Sequence, residues 1–150
     1  MSAFVTAGGG FLLAVLWFDL MFDVQVLGQR DAELPESTLS SIASYYARVT
    51  TAARPMNRLI AAVMVATIAG VVVEIADDEV PNAGAWVSLA LALAPIALVA
   101  ARTVPNAVRL GARRDDALER QSALARSIFR EHVLCFVSIG ALLAVQLAVA

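Results

Sequence analysis

The sequence predicts an all-α integral membrane protein, a four-helix bundle with cytoplasmic helical extensions. Three observations carry that prediction. First, 60% of the 150 residues are hydrophobic, against about 45–50% in an ordinary soluble domain. Second, these residues gather into four apolar stretches, near positions 3–27, 57–76, 85–101 and 133–150, each of a length that fits a bilayer crossing. Third, all eleven basic residues are arginines, confined to two segments, Arg30 to Arg58 and Arg102 to Arg130. The link between spans two and three carries Glu74, Asp77, Asp78 and Glu79 and no positive charge. Arginines flanking membrane helices stay on the cytoplasmic side. The expected location is therefore the bacterial cytoplasmic (inner) membrane, with both termini outside the cytoplasm.

Span one is apolar but for Asp19, Asp23 and Gln25 near its end, and Gly28 follows as a stop because glycine enters the left-handed conformation without steric cost. No positive charge precedes it, which argues for a retained span rather than a cleaved signal. Residues 35–54 read as an amphipathic helix starting near Pro35, with Leu39, Ile42, Tyr46 and Val49 at helical spacing. Pro55 breaks the chain before span two, and the short acidic link through Gly84 forces a hairpin into span three. Pro95 inside span three predicts a kink or a freed carbonyl. Residues 103–131 read as helical extensions of spans three and four, meeting in a turn near Gly111 to Asp116. Small residues four apart, such as Ala66 and Gly70, Ala90 and Ala94, or Gly140 and Ala144, allow close helix approach within the bundle or between copies.

The chemistry-bearing residues are few. Asp19 and Asp23 lie one turn apart on the same helix face, and aspartates at such depth normally turn inward and find partners. Arg54, Arg58 and Arg102 flank the same level, with Asn57 and Asn106 beside them. Two readings follow. One is a polar pocket lined by Asp19, Asp23, Asn57, Arg58, Arg102 and Asn106. The other is an ion-paired clamp, which the sequence favours because pairing alone answers the burial penalty. His132 is the only histidine, so bis-histidine haem and multi-histidine metal sites are excluded, and no cofactor or metal is expected. Its position after Arg130 and Glu131 reads as an ordinary polar entry to span four. Tyr45 and Tyr46 are expected at the headgroups, and Trp17 and Trp86 as interfacial anchors. Cys135 is alone, so no intrachain disulfide forms. The acidic link lacks the spacing of a calcium loop, and Gly8-Gly9-Gly10 lacks the strand and lysine of a phosphate loop.

Four spans in this length, the entries Pro55-Met56-Asn57 and Pro105-Asn106, and Arg126 to His132 ending in Arg-Glu-His together resemble the anthrone-oxygenase-like group of small membrane proteins. That resemblance implies a cofactor-independent oxygenase acting on polyaromatic substrates, with Asn106 and His132 as the positions carried over. The second entry is one residue shorter than the first.

Three functions follow as expectations. The leading one is a non-enzymatic accessory or scaffold subunit of the lipid bilayer, whose cap helices engage a protein partner or anionic lipid, with a protein partner or second copy also able to pack on the small-residue helix faces. The others are the membrane oxygenase and a proton- or ion-coupled transporter using Asp19 and Asp23. Nucleic acid is not an expected partner, since the basic loops follow from topology.

Overall fold

A computed structural model describes the chain apart from residues 1, 30, 78–82 and 149–150, and gives backbone alone for Ser2 and Arg54. No strand occurs among the described residues. Among those residues six α-helices form: α1 (Ser2–Asp23), α2 (Glu36–Ala47), α3 (Arg54–Asp77), α4 (Ala83–Leu98), α5 (Val104–Gly111) and α6 (Leu118–Ala148). Four helical stretches are long and apolar enough to cross a membrane, Ala3–Val26, Pro55–Asp77, Ala83–Gly111 and Leu118–Ala148.

These four close a ring, because α1 packs on α3 and α6, and α4 packs on the same two. Val5, Leu12, Leu16, Val71, Ile139 and Leu142 point inward and form its core. Most of each surface points the other way: between 17% and 33% of each apolar window is buried. Phe4, Trp17, Val65, Val137 and Leu147 stand exposed around the outside. Monomeric soluble proteins rarely expose an apolar surface of this extent.

The arginine-rich end carries a second, separate core. There α2 lies across α5 and reaches α1 and the first turns of α6. The stripe Leu39, Ile42 and Tyr46 is buried against Leu34, Leu110 and Ile128. Gly111 sets how closely α5 approaches α2, since a Cβ there would lie 2.6 Å from the Ala47 backbone nitrogen. Gly28, at φ 80°, ends the turn after α1 in the left-handed region. The Arg126 guanidinium then ties the following loop down by donating to the carbonyls of Ala32 (2.7 Å) and Asp31 (2.5 Å).

Two prolines leave their mark on the backbone just before them. Arg48–Ala52 and Val99–Thr103 are π-helical, closed by Ala53 N–H on the Arg48 carbonyl and Val104 N–H on the Val99 carbonyl. Pro55 and Pro105 follow within two residues of those closures. Proline cannot donate the next intrahelical bond, and widening to a π turn reassigns the carbonyls it would have left. Pro95 itself stays inside α4, and its carbonyl meets the Cys135 thiol at 3.8 Å. The small-residue stripes mostly face outward: Ala90, Ala94 and Ala144 are exposed, and Gly140 has open space around it. Within the bundle Gly70 is the stripe member in close contact, against Val5 and Phe4.

Candidate functional site

Where the two cores meet, five polar side chains interlock. Asp23, at the last turn of α1, is fully buried. Its Oδ1 accepts from the Tyr46 hydroxyl at 2.5 Å and its Oδ2 lies 2.7 Å from His132 Nδ1. Asp19, one turn earlier, accepts from the Tyr45 hydroxyl at 2.6 Å, and its Oδ2 stands 3.9 Å from His132 Nε2. Nδ1 thus donates to Asp23, and Nε2 is the nitrogen left to face other groups. The imidazole is therefore backed by a carboxylate and offers its other nitrogen on the Asp19 side.

The tyrosines come from one short helix, in sequence neighbours. Tyr46 belongs to the buried stripe of α2, while Tyr45, at its edge, stacks on Phe22 with ring centroids 4.0 Å apart. Burial, then the negative charge of Asp19 for Tyr45 and of Asp23 for Tyr46, pushes both phenols well above their ordinary value. Both hydroxyls therefore stay protonated and donate.

Among the described side chains the aspartates are thus held by hydroxyls and an imidazole, not by arginines, and the expected clamp is corrected on this point. The physical reason is the fold-back of α2, which brings neutral donors into the junction while the long guanidinium stems reach outward. Arg58 is exposed. Arg102, 64% exposed, lies 3.7 Å from Glu131 Oε1. The Arg54 side chain lies outside the described residues. Tyr45 and Tyr46 belong to the cluster. His132 is its centre, rather than an ordinary entry residue.

The cluster borders a cavity of about 790 Å³, a size typical of small-molecule sites at roughly 300–1,000 Å³. Its walls are mostly apolar, from Phe11 and Met64 at one end to Val108 at the other. Polar groups line it at one level: Asp19, Tyr45, Tyr46, Thr50, Asn57, Thr103 and His132. Asp23 is not on the wall; it stands behind the imidazole. Both π-helical stretches contribute, through Val49 and Thr50 on one side and Val99, Ala100 and Thr103 on the other, and such widened turns recur at functional sites. Asn57 lines the cavity and donates to the Thr50 carbonyl at 3.2 Å. Arg58, Arg102 and Asn106 do not line it. Of the residues proposed from sequence, the structure brings together Asp19, Asp23, Asn57 and His132.

Sequence reasoning missed a further buried acid. Glu131, 7% exposed, accepts from Thr103 at 2.8 Å and Ser127 at 2.9 Å, which fastens α6 to the second π turn. Its signal was present in Ser127 lying four residues before it. Among the described residues no group of three His, Cys, Asp or Glu side chains is placed to hold a metal ion. No family model, curated protein or solved structure matches this chain, so what the site can do rests on its own residues.

Proposed function

We propose that this chain is a bacterial inner-membrane protein, arginine-rich end inward, whose cavity binds a lipid-soluble, ring-bearing small molecule and takes a proton from it. One observation carries this reading: an imidazole backed by a buried carboxylate forms part of the wall of an apolar cavity. The orientation rests on the arginine distribution, and insertion on the outward-facing apolar surface.

The geometry suits general-base work. Asp23 fixes the ring and its tautomer and stabilises the imidazolium that forms when Nε2 accepts a proton. Tyr46 holds the far oxygen of Asp23, so the carboxylate cannot swing away. Asp19, held by Tyr45, adds a second negative charge near Nε2 that favours the protonated ring.

The resemblance to anthrone-oxygenase-like proteins gives the reaction class. A ring methylene beside a carbonyl loses a proton to His132, and the carbanion adds molecular oxygen. The peroxide, reprotonated, then loses water, so that R₂CH₂ and O₂ give R₂C=O and H₂O. In this reading His132 is the base, on the strength of its place on the cavity wall with Asp23 behind it. Asn106, the other carried-over residue, lies in α5 away from the cavity wall and takes no part in this scheme.

The test is oxygen uptake by the purified protein in detergent with a reduced polycyclic ketone. Uptake should fall roughly 10²–10⁴-fold in His132→Ala, with Asn106→Ala near wild type. Uptake no faster than spontaneous oxidation, together with no saturable binding of the substrate, overturns the reading. The chain would then return to a non-catalytic accessory role, which its packed cap of α2 and α5 suits.

A further inference from the structure

The cavity beside His132 has an open side, and its position follows from how α3 is packed. From Pro55 to Ala66 no residue of α3 is buried, whereas Thr67, Gly70 and Val71 are. Only the far half of the helix is therefore held in the ring. There a Cβ on Gly8 of α1 would overlap the Thr67 hydroxyl, and one on Gly70 would lie 2.9 Å from Val5. Gln146 of α6 fastens the same half, donating to Glu74 of α3 at 3.1 Å and to Ser88 of α4 at 3.2 Å.

These contacts fix an antiparallel register. Gly8 meets Thr67 and Val5 meets Gly70, so each step forward along α1 is a step back along α3. Six residues beyond Gly8 and Thr67, about 9 Å at the helical rise, Ala14 comes opposite Ala61. Small residues facing one another usually let helices close. Here both alanines are exposed and both line the cavity, so α1 and α3 have parted at that level. The rim of the opening is apolar. The exposed wall residues are Ala14, Phe18, Met56, Ala61, Ala100 and Val104, whereas every polar group on the wall is buried or half-buried. All six lie on α3 or on the elements beside it, α1 and the stretch from α4 into α5. Toward the arginine-rich end the second core shuts the way, with Leu39, Ile42, Leu110 and Ile128 fully buried. Apolar side chains around an opening are unfavourable against water and at home against hydrocarbon.

We infer that the gap between Ala14 and Ala61 opens sideways into the bilayer, and that the cavity takes a ring whose long hydrocarbon chain stays outside in the lipid. The ring meets the polar level at His132, and the chain leaves between the two alanines. The cavity of about 790 Å³ then has only the head to hold. This inference rests on the ring-binding reading and membrane placement proposed above. It adds the ligand class: a polycyclic head on a lipid-length chain.

The experiment reads binding rather than oxygen uptake. Protein in phosphatidylcholine vesicles is titrated with anthracene carrying a butyl, octyl or solanesyl chain, followed by anthracene anisotropy, with affinity expressed per lipid. The chain lies in hydrocarbon before and after binding, so affinity should stay level across the series. That includes solanesyl, which is too large to enter with the ring. A chain leaving into water would instead cost about fourfold in affinity per added methylene, and a closed cavity would reject solanesyl outright. Either result overturns the inference and leaves ring binding standing. Ala61→Trp narrows the gap and should weaken the solanesyl probe relative to the butyl probe by about tenfold or more, the usual scale of overpacking. Ala14→Trp, on the facing helix, should do the same and serves where Ala61→Trp does not fold. An unchanged ratio in both variants puts the exit elsewhere and overturns the assignment. No saturable binding of any probe overturns both the inference and the reading beneath it.

Discussion

Two polar clusters at opposite ends of one bundle are solved differently. At the arginine-rich end, two aspartates, two tyrosines and a histidine leave no buried side-chain atom without a partner. At the other end, three groups share one donor and leave two oxygens idle. The difference lies in the supply of donors. Only the first end has α2, an extra helix lying across the bundle and delivering two adjacent hydroxyls into it. At the second end the hydrogen bonds to Glu74 and Ser88 come from one side chain, the Gln146 amide.

The largest expected break in this comparison comes from Asp23→Ala. It leaves the Tyr46 hydroxyl and the His132 Nδ1–H facing no acceptor in a closed site, a loss of about 3–5 kcal/mol. Asp19→Ala should lose clearly less, because Asp19 is 17% exposed and borders the cavity. Denaturant or thermal unfolding in one detergent checks the order. Equal losses would mean that the cluster is not organised around Asp23.

Next in size is Tyr46→Phe, which removes a hydrogen bond to a charged group and should lower stability by about 1.5–3 kcal/mol. Tyr45→Phe should lower it by less, since Tyr45 is only partly buried. The same pair offers a spectroscopic test. These are the only two tyrosines in the chain, so tyrosinate absorbance reports on them alone. Their folded values are raised, while unfolded tyrosine ionises near about pH 10. The stabilisation is complete below that point and is lost as pH rises above it, because only the unfolded chain then releases protons. Folded protein should show no tyrosinate at about pH 11, and the signal should appear together with unfolding. Tyrosinate in the folded state would mean that the phenols are open to water.

The four apolar stretches and the apolar stripe of α2 were legible, because hydropathy and 3.6-residue spacing are local properties. The aspartates stood out for a local reason too, as charges one turn apart in an apolar helix. Their partners were not legible. Asp23 meets His132 across 109 residues of chain and Tyr46 across 23, and no spacing rule links them. Arginines were the natural guess on charge alone, but charge does not reveal that α2 folds back across the bundle. The π turns had a signal in Pro55 and Pro105, which marked a break without saying that the helix would widen instead of ending. Glu131 and the Glu74–Gln146–Ser88 group also depend on helix rotation, which small-residue stripes did not predict: several of those residues face outward.

The smallest expected effect falls on the opposite end and completes the contrast. Glu74→Leu with Gln146→Leu removes both idle oxygens and the one donor together, leaving Ser88 as the only polar member. A serine hydroxyl buried in a helix can return to the carbonyl four residues back, so nothing remains unpaired. Replacing a whole buried polar group by apolar side chains is often neutral or stabilising by about 1–4 kcal/mol, so the double variant should melt at or above wild type in detergent. The matching change at the arginine-rich end, Asp23→Leu with His132→Leu, should melt well below it, since Tyr46 is left buried with its hydroxyl facing leucine. If both double variants lose stability alike, the outer group is as well paired as the inner one. The number of donors that α2 supplies would then not be what separates the two ends.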